Sequence, residues 1–307
     1  MTYIMEWPAG VLPPQPLNEQ YQVKPADAVS RVGFEQGLAR QRLANTTALG
    51  NYSLMWPMTP RQKYIFDGIV KNELANGAKW FLIDVFTHAS YQQLLVRFVK
   101  GSIKPVRSGG EWMVSAQLET YGSQVPSGAE TDAAIVALGG APFAGGGLYE
   151  WPSDVLSPAP LNEQYQIEPG DTLNRGDFAQ GASDQLSSYV NAPGLYTLVW
   201  PLSLQQKFIF DGVLEHRLKK GAAPFLLDLF VNDDYRPTKV RLVKGSLTYT
   251  RSGEDWIVAV QVETDDLQAP SASETAAAML TIGGDDLDAM VELLHTIVHV
   301  DYPAAVP

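Results

Sequence analysis

Two carboxylates stand where carboxylates are unexpected. Asp84 interrupts the apolar run Trp80-Phe81-Leu82-Ile83-Asp84-Val85-Phe86, and Asp228 interrupts Pro224-Phe225-Leu226-Leu227-Asp228-Leu229-Phe230 at the same place. Such an interruption invites a catalytic reading. Arg97 and Arg241 lie on the next run of each segment and could face the two acids across a sheet. Nothing else of an active site accompanies them, so the pairs Asp84–Arg97 and Asp228–Arg241 read as structural ion pairs. Glu119 and Glu263 could complete a glycosidase pair, yet no loop insertion is present to wall a cleft around them. Asp67 and Asp211 fall in a helical segment and read as solvated. Of the four histidines, His88, His216, His295 and His299, only the last two have a ligand-like spacing. The residues between them lack the glutamate of a zinc-protease helix. The chain has no cysteine, which removes thiolate chemistry, disulfides and the usual structural zinc sites. The glycine run Gly145-Gly146-Gly147 precedes neither a lysine nor a helix start, so it is no phosphate loop. The expectation is a non-enzymatic protein without cofactor or metal.

The same residues show what must position them, because each occurs twice. Trp7 returns at 151 and Tyr21 at 165, a constant offset of 144 residues. At that offset Pro16-Leu17-Asn18-Glu19-Gln20-Tyr21-Gln22 becomes Pro160-Leu161-Asn162-Glu163-Gln164-Tyr165-Gln166, and Ile65-Phe66-Asp67-Gly68 becomes Ile209-Phe210-Asp211-Gly212. A repeat this long exceeds a solenoid unit and suffices for a core of its own. The expected organisation is a first repeat domain over 1–140, a glycine-rich linker over 141–149, a second repeat domain over 150–284 and a C-terminal helical extension over 285–307.

Within each repeat the pattern is β-rich. Tyr52-Ser53-Leu54-Met55-Trp56 and its twin Tyr196 to Trp200 alternate as strands do, and Pro57 and Pro201 should end them. Thr59-Pro60-Arg61-Gln62 and Ser203-Leu204-Gln205-Gln206 are capping boxes that open one amphipathic helix per repeat. Glycines at 77 and 221 stand where a helix would close. A three-stranded meander follows, through 80–86, 94–100 and 111–119. The fold class is therefore α+β and β-rich: two tandem copies of an antiparallel β-sandwich or half-barrel, each with one covering helix. In the extension Leu287, Met290, Leu293, Leu294 and Ile297 fall at helical spacing and predict a packing stripe.

Net charge is −12, the wrong sign for extended phosphate neutralisation. DNA is expected at most to pass through a lumen. No apolar run approaches the length of a membrane span, and residues 1–7 carry no basic and apolar signal pattern, so neither membrane insertion nor secretion is expected.

The order Trp7-Pro8, Leu12-Pro13, Tyr21, then Arg31, Phe34, Gly37, Arg40-Gln41-Arg42, then Tyr52 to Trp56 before a capped helix, Trp80-Phe81, Arg97-Phe98 and Glu111-Trp112 ending in Leu118-Glu119, resembles small structural proteins of tailed bacteriophages, of the tail-tip or distal-tail type. The second copy departs from the pattern with Asp184-Gln185-Leu186. The resemblance implies a structural virion component, assembled in a host cytoplasm and partnered by other tail or connector proteins. It implies a ring-forming homo-oligomer, either a trimer with pseudo-sixfold symmetry or a hexamer. Trp7, Tyr21, Trp151, Tyr165, Leu287 and Leu294 are the candidate subunit contacts. The alternative is a tandem carbohydrate-binding module that uses Trp7 and Trp151 as sugar platforms.

Overall fold

A computed structural model describes residues 4–25, 27–32, 40–44, 49–87, 90–121, 125–142, 147–157, 159–161, 164–169, 173–176, 184–187, 194–231 and 234–264, together with Ser273 and Thr275. The chain divides into two compact units, 1–267 and 268–307. In the second unit Ser273 and Thr275 are helical. The stripe around Leu287 and Leu294, and both His295 and His299, lie outside the described residues.

The first repeat contributes β1 (Met5–Glu6), β2 (Gln22–Lys24), β3 (Val29–Val32), β4 (Arg40–Leu43), β5 (Leu49–Met58), α1 (Pro60–Gly68), β6 (Phe81–Phe86), β7 (Tyr91–Phe98), β8 (Lys104–Ser108) and β9 (Glu111–Tyr121). Helix α2 (Gly128–Ala137) follows. The second repeat contributes β10 (Tyr149–Glu150), β11 (Gln166–Glu168), β12 (Leu173–Gly176), β13 (Asp184–Ser187), β14 (Gly194–Leu202), α3 (Leu204–Gly212), β15 (Phe225–Val231), β16 (Asp234–Leu242), β17 (Thr248–Ser252) and β18 (Asp255–Thr264). The result is β-rich α+β, with one large mixed sheet and, among the described residues, α1, α2 and α3 as its α-helices.

Strand order repeats with the sequence. The first half of the sheet runs β1-β6-β7-β9-β5-β2 with β8 also on β9, and the second runs β10-β15-β16-β18-β14-β11 with β17 on β18. Among the described strands only the short β1 and β10 pair in parallel, with β6 and β15. The ribbons β3-β4 and β12-β13 stand apart as two-stranded sheets.

Local chemistry accounts for these elements. Thr59 and Gln62 cap α1 reciprocally, as do Ser203 and Gln206 for α3, and each helix runs on into a π turn. Gly77 and Gly221 close those turns at φ +90°, where a Cβ would also press on Phe98 or Leu242 at 3.1 Å. The prolines at 57 and 201 do not end their strands. β5 continues to Met58, with Pro57 opposite Met113, because the missing N–H would point to the side where β5 has no partner strand at that level.

Each repeat keeps an aromatic core. Trp7 stacks on Trp56 at 5.4 Å, and Trp151 on Trp200 at 5.6 Å. Alternating positions of β5, Tyr52, Leu54, Trp56 and Met58, point into it and are buried, as the period of two requires.

Candidate assembly interface

The two halves of the sheet meet at one seam, where β2 of the first repeat pairs antiparallel with β17 of the second. Val23 lies opposite Tyr249 and Gln22 opposite Thr250, and the Arg251 amide donates to the Tyr21 carbonyl at 3.0 Å. Aromatic groups interlock across this seam. Tyr21 meets Trp256 edge-on at 5.8 Å, Phe86 stacks on Trp256 at 6.3 Å, and the Arg251 guanidinium lies 3.8 Å over Phe86. Tyr21 donates its hydroxyl to the Phe86 carbonyl at 2.7 Å. Burial, with Tyr52 and Tyr91 nearby, pushes that hydroxyl's pKa well above the tyrosine range.

Beneath the strands is a buried charge cluster. Lys207 donates to Asp211 one helical turn along α3, and the Tyr249 hydroxyl donates to the same carboxylate at 2.6 Å. The Lys207 ammonium also sits 4.3 Å from the Tyr249 ring and 4.9 Å from that of Trp256. A second polar link crosses the seam where Arg31 and Gln41, opposite each other in β3-β4, donate to Glu263 at 2.6 and 3.2 Å. Burial raises the Glu263 carboxyl above its ordinary range, while Arg31 and Arg241 pull the other way. A cavity of about 760 Å³ lies along the seam, lined among others by Tyr52, Glu130, Lys207, Asp211, His216 and Tyr249.

Helix α2 fastens the seam from the other side. It closes the first repeat in sequence but packs on α3 of the second. Thr131 fills the space where Gly212 would carry a side chain, with Thr131 Cβ and Cγ2 2.8 Å from an ideal Cβ position. Arg217 bonds Asp132 at 2.7 Å, and the His216 ring lies 2.7 Å from the Pro126 carbonyl. Gly212→Ala should therefore lower stability by about 1–3 kcal/mol through overpacking. Its twin Gly68 has nothing within 4 Å, so Gly68→Ala should raise stability by about 0.5–1 kcal/mol, the ordinary helix preference. Urea unfolding of the two variants checks the opposite signs.

Several expected pairings fall differently. Arg97 does not meet Asp84: it bonds Glu119, its neighbour in the β7-β9 register, and lies over Trp80 at 4.7 Å. Asp84 is exposed, opposite Gln93. Arg241 likewise stands opposite Glu263, and Asp228 opposite Pro237. Register decides this: β6-β7 pairing puts Asp84 opposite Gln93, four residues before Arg97, while β7-β9 pairing puts Arg97 opposite Glu119. Asp67 is solvated as expected, but Asp211 is not. Trp7 and Trp151 are buried in their own repeats, so neither presents a subunit contact or a sugar platform. Tyr21 does reach across, to Trp256, and Tyr165 is half-buried with its hydroxyl donating to the Phe230 carbonyl at 3.1 Å.

Sequence reasoning missed α2 altogether, although Ser127 and Glu130 form a capping box and Gly139-Gly140 closes the helix. Among the described residues no cluster of three His, Cys, Asp or Glu could hold a metal, and no helix is long and apolar enough to cross a membrane. No protein-family model matches the chain, and comparison with curated proteins gives no match.

Proposed function

We propose that the chain is a non-enzymatic structural component of a tailed-phage virion, a ring-forming tail or head-to-tail assembly protein made of two copies of one β-sandwich or half-barrel domain. The observation that carries this reading is the seam itself. One repeat presents its β2 edge, the next accepts it on β17, and the contact is head-to-tail. Head-to-tail contacts between like units either close into rings or run on as filaments. In a closed ring of three such chains, half of the contacts between like units are already made within the chains. The sequence resemblance to tail-tip and distal-tail proteins supports a ring within a virion, beside other tail or connector proteins, with DNA at most passing through its lumen.

Three chains of 33.6 kDa then supply six like domains, so the expected assembly is a trimer with pseudo-sixfold symmetry. Native mass spectrometry of the purified chain and quantification in purified particles check it. Three chains per ring is the expected result, six indicates two stacked tiers, and a chain that stays monomeric and is absent from particles removes the reading. The carbohydrate-binding alternative gains no support, because the tryptophans it needs, Trp7 and Trp151, are covered.

A further inference from the structure

The seam within the chain uses one half of each repeat and leaves the other half open. Among the described residues β8, the twin of β17, pairs only with β9, and β11, the twin of β2, pairs only with β14. Exposed apolar side chains mark these open halves. Val106 on β8 is 62% exposed and Ile167 on β11 is 47% exposed. Phe230 is 41% exposed, where its twin Phe86, under Arg251 and Trp256, is 6%. Asp67 is 57% exposed beside Lys63, where Asp211 is 9%. Ile65 and Ile69 on α1 are half-buried, while Ile209 and Val213 under α2 are fully covered.

Residue types that make the seam recur at the equivalent positions of the open halves. Gly68 costs helix stability and relieves no contact, whereas Gly212 makes room for Thr131. The twin of Thr131 is Thr275, helical and exposed, in Ser271-Ala272-Ser273-Glu274-Thr275, which repeats the capping pattern of Ser127-Gly128-Ala129-Glu130-Thr131. Arg31 and Gln41 recur as Arg175 and Gln185, again opposite each other in their ribbon, and Glu263 recurs as Glu119.

We propose that the occupant of both open halves is a second copy of this chain. The β11 edge of one copy adds to the β8 edge of the next, with Ile167 opposite Pro105 and Gln166 opposite Val106, and Thr275 of the first copy seats on Gly68 of the second. This rests on the ring-forming reading and specifies its joint. Pro105 stands where Tyr249 stands in β17, so the joint between chains has one outward donor fewer than the seam within the chain. It is the weaker of the two contacts, as suits a contact made on assembly.

The cysteine-free chain makes the test direct. Gln166 and Val106 would correspond to Gln22 and Thr250, a pair between the hydrogen-bonded Tyr21–Arg251 and Val23–Tyr249 positions. Non-hydrogen-bonded pairs of this kind bring Cα atoms to about 4.5 Å, within disulfide range. The double variant Val106→Cys, Gln166→Cys should oxidise to a ladder of covalent multimers ending at the ring, and mixing the two single variants should give covalent dimers only. Adding Gly68→Gln should abolish the ladder while the monomer keeps its circular dichroism and melts no lower than the parent, since that side chain meets open space in the single chain and is preferred over glycine in a helix. A ring that forms in the wild type while the double-cysteine variant gives no 106–166 disulfide, or a ladder untouched by Gly68→Gln, overturns the joint and leaves the ring standing. A wild-type chain that remains monomeric at every concentration overturns the ring and the joint together.

Discussion

Lys207→Met should destabilise the folded chain by about 3–5 kcal/mol, while the same change at its twin, Lys63→Met, should cost less than about 1 kcal/mol. The two lysines sit at equivalent helix positions and each pairs with an aspartate one turn on. Their surroundings differ. Lys207 and Asp211 are covered by Tyr249, Trp256 and the first repeat, so removing the ammonium leaves a buried carboxylate without its paired charge. Asp67 is exposed, so water solvates it when the lysine is gone. The double variant Lys207→Met, Asp211→Leu should recover most of the loss, because a buried ion pair replaced by apolar groups of similar volume is near neutral or better. Urea midpoints at constant slope decide it, and equal losses at the two lysines would show that Asp211 is hydrated.

Trp256→Ala should cost about 3–5 kcal/mol, the range for truncating a fully buried large aromatic, and Trp112→Ala less than half of that. Both end up on the equivalent strand, opposite Arg251 and Arg107. Trp256 is fully buried and touches Tyr21, Phe86, Tyr249 and the Lys207 ammonium. Trp112 is half-buried, with Lys63 5.5 Å above its ring. Because Trp256 joins the repeats, its loss should also split one unfolding transition into two, read by calorimetry. A single transition shifted no further than that of Trp112→Ala would mean that the seam does not couple the repeats.

What was legible in the sequence is what local chemistry decides. Thr59-x-x-Gln62 and Ser203-x-x-Gln206 needed no partner to announce a helix start, since a cap is satisfied within one turn. The strands through 81–86 and 111–121 declared themselves by alternation, because side chains on a pleated backbone change face at every residue. Internal comparison alone exposed the repeat, and its element order recurs with it. Ion pairing failed where register intervened: Asp84 and Arg97 are close in pattern, but the β7-β9 alignment places Arg97 opposite Glu119. Helix α2 was overlooked because its cap lies beyond the strands whose rhythm dominated the reading.

The residue types at 63, 67, 68 and 112 equal those at 207, 211, 212 and 256, so the sequence by itself determined two like scaffolds bearing one Lys-Asp-Gly-Trp constellation each. Only the tertiary structure decided that one constellation is a buried charge cluster and the other an exposed surface. The reason is physical: burial belongs to whatever packs against a group, and β2, Tyr21, Phe86 and α2 reach the second repeat, while within the described chain nothing equivalent reaches the first.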